Sequence, residues 1–140
     1  MTNSISDCIV LEFKGRAISK DNEKLISKYP SKRTGRPFVY TSTKYKIYEK
    51  DLKRQAQAQL SKGWKPLKGN VWVSLFFYFK SKVHTDICNL PKSICDAMTG
   101  ILWENDRQVW LALVRPYYDK NKQEGFSMMV VKVNNGDAKG

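Results

Sequence analysis

The sequence holds 140 residues, which corresponds to one domain at the usual size of roughly 100–200 residues. It has 25 Lys and Arg residues against 13 Asp and Glu residues, a formal net charge of +12, and 41% hydrophobic residues. This composition excludes full disorder, and no apolar run approaches the roughly 18–20 residues of a membrane helix. Residues 1–7 lack the basic and apolar regions of a signal peptide, so we expect a soluble intracellular domain with no membrane partner.

The first part of the chain predicts a strand, a long loop and a helix. Cys8 to Phe13 has the apolar pattern of a strand, whereas Lys14 to Tyr40 is polar, basic and interrupted by Gly and Pro. Phe38 to Tyr40 can form a short strand within that loop. Thr41 to Leu60 predicts a helix that begins at a serine or threonine cap. Its expected inner face consists of residues three or four apart, namely Tyr45, Tyr48, Leu52, Ala56 and Gln59.

The second part predicts three further strands and a short helix. Val71 to Lys80 is apolar on both faces, which indicates a central strand or one at a dimer interface. Leu90 to about Gly100 predicts a helix, and Val109 to Tyr117 and Phe126 to Val133 predict two strands that pair with each other. We expect residues 134–140 to be frayed. This order predicts a single α+β domain of two layers, with a mixed sheet and two main helices.

The positive charge is concentrated in one segment. Between Lys14 and Arg54 there are 13 basic and four acidic residues. Such a surplus favours a polyanionic partner, and nucleic acid above all. The candidate phosphate contacts are Lys14, Arg16, Lys32, Arg33 and Arg36. A solvated surface that only keeps the protein soluble, or an anionic membrane surface, are the weaker alternatives.

The cysteine and histidine content argues against two kinds of site. Cys8, Cys88 and Cys95 do not have the spacing of a zinc site, and His84 is the one histidine of the chain. Catalysis by a Ser/His/Asp or Cys/His arrangement would therefore depend on His84 alone. We expect reduced thiols, two of which serve as packing groups.

Acidic residues are scarce, yet Asp86, Asp96, Glu104 and Asp106 fall within 21 residues. Carboxylates on turns can hold Mg²⁺ through their oxygens, and the bound metal can polarise a phosphodiester. Lys92, near the start of the predicted helix, could stabilise the charge that grows on phosphorus. The other interpretation is purely structural: helix caps, a β-turn and an ion pair between Lys92 and Asp96. By spacing alone, the structural interpretation is the stronger one.

Three spaced blocks of the chain resemble RusA-type Holliday junction resolvases. They are Asp86–Lys92 (DICNLPK), Asp96–Gly100 (DAMTG) and Trp103–Val109 (WENDRQV). The family pattern runs D-x-D-N-L-x-K, D-A-L-x-G and D-D-x-Q-[IV]. The upstream order of strand, basic loop and helix is also similar, as is the length. The resemblance implies that residues 1–140 form a single RusA-like endonuclease domain, with residues 14–40 as its basic loop.

The resemblance implies a function. Members are homodimeric endonucleases that bind branched DNA, cut four-way (Holliday) junctions with Mg²⁺ or Mn²⁺, and serve recombination and repair. They occur in phages and prophages, which implies the cytoplasm of a bacterial or phage-infected cell, and they need no small-molecule cofactor. By position, Asp86 and Asp106 match metal ligands and Lys92 matches the catalytic lysine. Asn89 and Asp96 match positions that we interpret as supporting.

Two residues depart from the family pattern. Cys88 stands where the family has its second aspartate, and a thiol is a poor ligand for Mg²⁺. Asn105 stands where the distal pair has its first aspartate; it keeps an oxygen but loses the charge, so we count it as a supporting residue. Glu104 or a backbone oxygen could fill the gap in the ligand set. The alternative is a protein that binds junctions but cleaves them weakly or not at all. A general RNA-binding module is a third interpretation, although no RNA-binding pattern is present.

Overall fold

The computed structural model describes residues 8–20, 24–84 and 86–133. Its elements, in chain order, are β1 (Cys8–Lys14), β2 (Lys24–Ile26), β3 (Val39–Thr41), α1 (Thr43–Gln59), β4 (Val71–Phe79), α2 (Leu90–Met98), β5 (Val109–Tyr118) and β6 (Gly125–Lys132). Single 3₁₀ turns lie at Ile87–Asn89 and Asp106–Gln108. The expected frayed tail, residues 134–140, lies outside the described residues. Among those described, no helix is long and apolar enough to cross a membrane.

The main sheet has four strands in the order β1-β6-β4-β5. β4 pairs with β5 in parallel and with β6 antiparallel, and β6 also pairs with β1 antiparallel. The sheet is therefore mixed, and the expected α+β domain is confirmed. The central position predicted for β4 is confirmed as well, because residues Val71 to Phe79 have a paired neighbour on each side.

The prediction that the last two strands pair with each other is wrong. β4 lies between β5 and β6, so the two strands are separated by about twice the usual strand spacing of roughly 4.8 Å. The connection of residues 119–124 can span that distance, at about 3.3 Å for each extended residue. Inserting β4 there gives both flanking strands the most apolar partner in the chain. The short connection between β5 and β6 predicts a hairpin. The strand order of the sheet is instead determined by the burial of β4 between them.

A second, two-stranded sheet lies within the segment that the sequence presented as a loop. β2 pairs antiparallel with β3, in the register Lys24 with Thr41 and Ile26 with Val39. We call residues 24–41 the arm. The short strand expected near Phe38 to Tyr40 is confirmed as Val39–Thr41. Its partner β2 was missed because three residues are too few to give a readable strand pattern.

Both helices contribute side chains to one core on the inner face of the main sheet. Along β4, alternate residues from Val71 to Phe79 are 0–1% exposed. The hydroxyl of Ser42 accepts a hydrogen bond from the Tyr45 amide at 3.1 Å, which caps α1 as predicted. On the expected inner face of α1, Tyr45, Leu52 and Ala56 are buried. α2 buries most of its residues, including Leu90, Ile94, Ala97 and Met98.

The sequence predicts Gln59 on the inner face of α1, but it is exposed and lies at the edge of the sheet. Its amide accepts a hydrogen bond from the Glu12 N–H at 2.8 Å and donates one to the Glu12 carbonyl at 2.7 Å. One helical turn earlier, Gln55 makes the same pair of bonds with Lys14, at 2.8 and 3.1 Å. Because β1 is an edge strand, its outward backbone groups would otherwise be open to another chain. The two glutamine side chains form hydrogen bonds with these N–H and C=O groups of β1, in the place that the backbone of an added strand would take.

We expect Gln55→Ala and Gln59→Ala each to lower the free energy of unfolding by about 0.5–1.5 kcal/mol, the usual net contribution of such bonds. Urea denaturation measures the loss. Gln57→Ala is the matched control, since Gln57 lies on the same helix, is exposed and makes no side-chain hydrogen bond with the described residues. The change in helix propensity is the same in all three variants. Equal stabilities of the three would contradict the bridging role.

Candidate metal and nucleic-acid site

The first candidate ligand, Asp86, begins the turn that leads into α2. One oxygen of its carboxylate, Oδ1, accepts a hydrogen bond from the Cys88 N–H at 3.0 Å, and this bond starts the 3₁₀ turn. Asn89 occupies the cap position of α2, and its side chain makes no capping bond. The side chains of Asp86 and Cys88 are both exposed. The turn therefore presents one carboxylate and one thiol to solvent at the beginning of the helix.

Lys92 and Asp96 lie one turn apart on α2, and both are exposed. The ion pairs between described residues are Arg16–Glu124, Lys53–Glu49 and Arg54–Asp51. Lys92 and Asp96 do not pair with each other, so the structure does not realise the structural role that spacing suggested for them. Their charges are available to an outside partner.

Asp106 lies on a turn that is held at both ends. The Asn105 side chain accepts a hydrogen bond from the Arg107 N–H at 2.9 Å, and the Asn105 N–H donates to Gln108 Oε1 at 2.6 Å. Gln108 also donates to the carbonyls of Leu67 at 2.9 Å and Gly69 at 2.6 Å. The Asp106 carboxylate itself is exposed and makes no hydrogen bond or ion pair with the described residues. Asn105 thus holds the turn that carries Asp106.

The buried thiol of Cys95 on α2 is influenced by the charges of two of the candidate site residues. Burial raises the pKa of Cys95 to about 12, and the negative charges of Asp96 and then Asp106 contribute to the same increase. Asp106 is therefore within electrostatic range of the middle of the helix. The turn at Ile87–Asn89 contacts β5, the strand that begins directly after the Asp106 turn. Both turns thus lie next to β5, the Ile87–Asn89 turn through contacts and the Asp106 turn because the strand begins directly after it.

The donor chemistry suits a hard divalent cation, although the ligand set is sparse. Within residues 8–20, 24–84 and 86–133, no three His, Cys, Asp or Glu side chains lie close enough together to hold a metal ion. Asp86 keeps its second carboxylate oxygen, and Asp106 and the exposed Glu104 keep both of theirs. Oxygen donors of this kind are those that Mg²⁺ and Mn²⁺ prefer. The oxygen of Asn105 is already engaged by the backbone.

The segment before Asp86 is fixed by contacts that the sequence did not reveal. Arg16 forms an ion pair with Glu124 at 3.3 Å and donates to the Val83 carbonyl. Glu124 also accepts from the Lys80 N–H at 3.1 Å. Arg16, a predicted phosphate contact, therefore also holds the chain that leads to Asp86. The two partners are 108 residues apart in the chain, so no local pattern could indicate this link.

His84 also holds this segment. Its ring stacks on Phe79, with 4.0 Å between centroids and 9° between planes. One ring nitrogen lies 2.8 Å from the Tyr118 hydroxyl. The histidine thus connects the segment to the ends of β4 and β5. Its position two residues before Asp86 was the one sequence signal for this role.

The other predicted phosphate contacts lie on open surface. Lys32, Arg33 and Arg36 are exposed in the arm and form no ion pair with described residues. Lys14 is exposed at the end of β1. Unpaired cations on the arm, together with unpaired carboxylates near α2, are typical of the class of proteins that act on the phosphate backbone of a nucleic acid.

Comparison with known families agrees with this class. Residues 15–125 match the family model described as Endodeoxyribonuclease RusA. Because that match covers well over half of the 140 residues, the protein belongs to the RusA family of junction-resolving endodeoxyribonucleases. The resemblance carried by the three blocks is thereby confirmed. Comparison with curated proteins found no match for the chain.

Exposure predicts a sharp difference between the thiols on either side of Lys92. In the folded protein at pH 8, iodoacetamide should label the exposed Cys88, whereas Cys95 should stay unlabelled because it is buried and its raised pKa keeps it protonated. Peptide mass spectrometry measures both sites. The same reaction in 8 M urea is the control and should label both. Equal labelling of the two cysteines in the folded state would contradict the packing of α2.

Proposed function

We propose that the protein is a divalent-metal-dependent endonuclease that resolves four-way DNA junctions by hydrolysing phosphodiester bonds, in the cytoplasm of a bacterial or phage-infected cell. The single observation that carries the proposal is the family match over residues 15–125, which includes both candidate ligand turns and α2. The exposed, unpaired state of Lys92 and Asp106 supports it, because these charges serve no contact within the described residues.

Each residue near α2 has a distinct task in this proposal. Asp86 and Asp106 would hold Mg²⁺ or Mn²⁺. Glu104 would compensate for Cys88 only if the three carboxylates move closer together when a metal binds, because they do not form a group in this structure. When bound, such a cation polarises a phosphodiester and lowers the pKa of water. Lys92 would bind a non-bridging oxygen of the scissile phosphate and stabilise the charge that develops there.

DNA binding is assigned to the positive surface. Lys14 and the arm residues Lys32, Arg33 and Arg36 would contact backbone phosphates. Each such contact releases counterions, so affinity should fall steeply as salt rises. Asn89 and Asp96 lie beside Lys92 on the same helix and would support its position.

Two arguments support a homodimer: the symmetric cleavage of a four-way junction and one exposed apolar surface. A four-way junction needs two symmetric cuts, which a two-fold dimer supplies. On the sheet face away from the core, the register aligns Val10, Met129, Ser74 and Leu113 in one row, and Trp72 and Trp110 in the next. The two tryptophan rings meet edge to face at 4.9 Å, and both remain partly exposed. This apolar face is the proposed dimer contact.

The second candidate function is junction binding with weak or lost cleavage. The observation that favours it is the sparse ligand set, in which position 88 offers a thiol to a cation that prefers oxygen. The cations of the arm do not depend on that ligand, so binding would remain.

We expect Asp106→Asn to lower the rate of junction cleavage by more than about 100-fold, because it removes a charged ligand while the Asn105 cap keeps the turn in place. A nicking assay on an end-labelled four-way junction with Mg²⁺ or Mn²⁺ measures the rate. Asp119→Asn is the matched control: it is exposed, it lies in the β5–β6 connection, and it accepts a bond from Asn121 that an amide oxygen can also accept. Unchanged cleavage by Asp106→Asn would count against the endonuclease proposal.

The same assay separates the two candidate functions. Cys88→Asp should raise cleavage about tenfold or more, since it adds a carboxylate beside Asp86, and the cap from Asp86 binds the backbone of residue 88 rather than its side chain. Tight junction binding without cleavage by the unaltered chain, combined with cleavage by Cys88→Asp, would favour the binding protein. Cleavage by the unaltered chain at a rate that Cys88→Asp does not raise rejects it.

Leu113→Lys should weaken the dimer by about 100-fold, because it places an unpaired charge within the apolar face. Sedimentation velocity across a concentration series measures the dissociation constant. Ile47→Lys is the control, since Ile47 is an equally apolar and exposed residue on α1, away from this face. A monomeric unaltered chain, or equal effects of the two variants, would show that this face is not the dimer contact.

A further inference from the structure

The arm exposes aromatic rings in the same place as its cations. Tyr29 is 79% exposed, Phe38 49% and Tyr40 41%. These three rings line one open groove together with Lys28 and Lys32. The rings of Phe38 and Tyr40 lie 6.0 Å apart, inclined at 52°. None of the three belongs to the core cluster, so packing of the domain does not explain them.

The groove is held in shape by hydrogen bonds within the arm. The Ser27 hydroxyl donates to the Tyr29 carbonyl and accepts from the Phe38 N–H, both at 2.9 Å. The Ser27 N–H donates to the Phe38 carbonyl at 2.8 Å. One serine therefore sets the backbone positions of two of the rings. A platform that is ordered in advance costs less entropy when a ligand binds.

The tip of the arm is also closed on itself. The Ser31 N–H donates to the Arg36 carbonyl, and the Gly35 N–H donates to the Ser31 carbonyl, both at 2.8 Å. Gly35 adopts φ +69°, a conformation that favours glycine. This turn projects Lys32 and Arg33 without an ion pair to any described residue. Rings and cations thus lie side by side on an arm that is held by its own hydrogen bonds.

We propose that this groove stacks on a base at the branch point of the DNA, while the neighbouring lysines bind the flanking phosphates. A continuous duplex covers the face of every internal base, whereas a branch point leaves bases with a missing stacking neighbour. Aromatic rings bind such faces without regard to sequence, and cations bind the adjoining backbone. The inference rests on the proposed junction function and assigns preference for branched over linear DNA to the arm.

Charge selects DNA over a protein as the occupant. The described residues that line the groove include two lysines and no acidic side chain. A second copy of this chain that docked groove to groove would bring the same two lysines and no acidic side chain to the contact. Phosphates, in contrast, complement the lysines directly.

The experiment compares junction and duplex binding by ring variants in EDTA, where cleavage does not occur. The probes are a four-way junction with 2-aminopurine at the crossover and a linear duplex of the same sequence. Tyr29→Leu and Phe38→Leu should each weaken junction binding about tenfold, leave duplex binding within about twofold, and abolish the change in 2-aminopurine fluorescence. Tyr29→Phe keeps the ring and should behave as the unaltered protein.

Lys32→Gln is the matched electrostatic control. It should weaken binding to both DNAs alike and reduce the salt dependence by about one counterion, without abolishing the fluorescence change. Stacking is overturned if the leucine variants bind junctions normally, if they lose junction and duplex binding equally, or if they change only the sedimentation of the free protein. It is also overturned if the unaltered chain shows no preference for the junction.

These outcomes are separate from those of the endonuclease proposal. If the unaltered protein does not cleave junctions with Mg²⁺ or Mn²⁺, but Tyr29→Leu loses the preference for junctions, the endonuclease proposal is contradicted and the stacking proposal is supported. If the unaltered protein cleaves junctions, but its leucine variants bind junctions as it does, the endonuclease proposal is supported and the stacking proposal is contradicted.

Discussion

The pairing of β4 with a strand on each of its two edges determines where the other strands and α2 lie. Its inner side chains are fully buried, and its two edges are taken by β6 and β5. Because β5 runs parallel to β4, the chain must cross back over the sheet between them, and α2 is that crossover. Asp86 therefore lies on the turn before this helix, and Asp106 lies on the turn between the helix and β5. The two candidate ligand turns are consequences of the way in which one apolar strand is buried.

Some carboxylates of the described residues form ion pairs, whereas the candidate site carboxylates do not. Glu49, Asp51 and Glu124 each pair with a Lys or Arg. Asp96, Glu104 and Asp106 do not, although the chain has nearly twice as many cations as carboxylates. An exposed ion pair contributes at most about 1 kcal/mol, so the fold loses little by leaving them unpaired. A negative area of this kind within a positive protein is suited to a cation that itself meets phosphate.

Local patterns were sufficient to predict most elements but not their neighbours. The periodicity around Tyr45 and Leu52 and the cap at Ser42 define α1, and the apolar run from Val71 defines β4. The order of the strands depends on which pairings bury most surface, which no short pattern contains. The candidate ligands and Lys92 came from the family resemblance, because spacing alone favoured caps and turns. The Arg16 link and the β2 strand depend on partners distant in the chain or on three-residue segments.

The residues proposed for DNA binding and those proposed for cleavage lie mainly on different elements, which bears on how the departure at Cys88 is to be interpreted. The arm forms its own small sheet and holds its rings and cations through its own hydrogen bonds. Nothing in that arrangement depends on the ligand set beside α2. Under the proposed function, a thiol in place of a carboxylate at position 88 would therefore affect cleavage and leave DNA binding by the arm unchanged. Since Asp86 caps the turn through the backbone of residue 88, the fold also tolerates either a thiol or a carboxylate there. The two candidate functions thus differ in whether the ligand set with Cys88 supports cleavage.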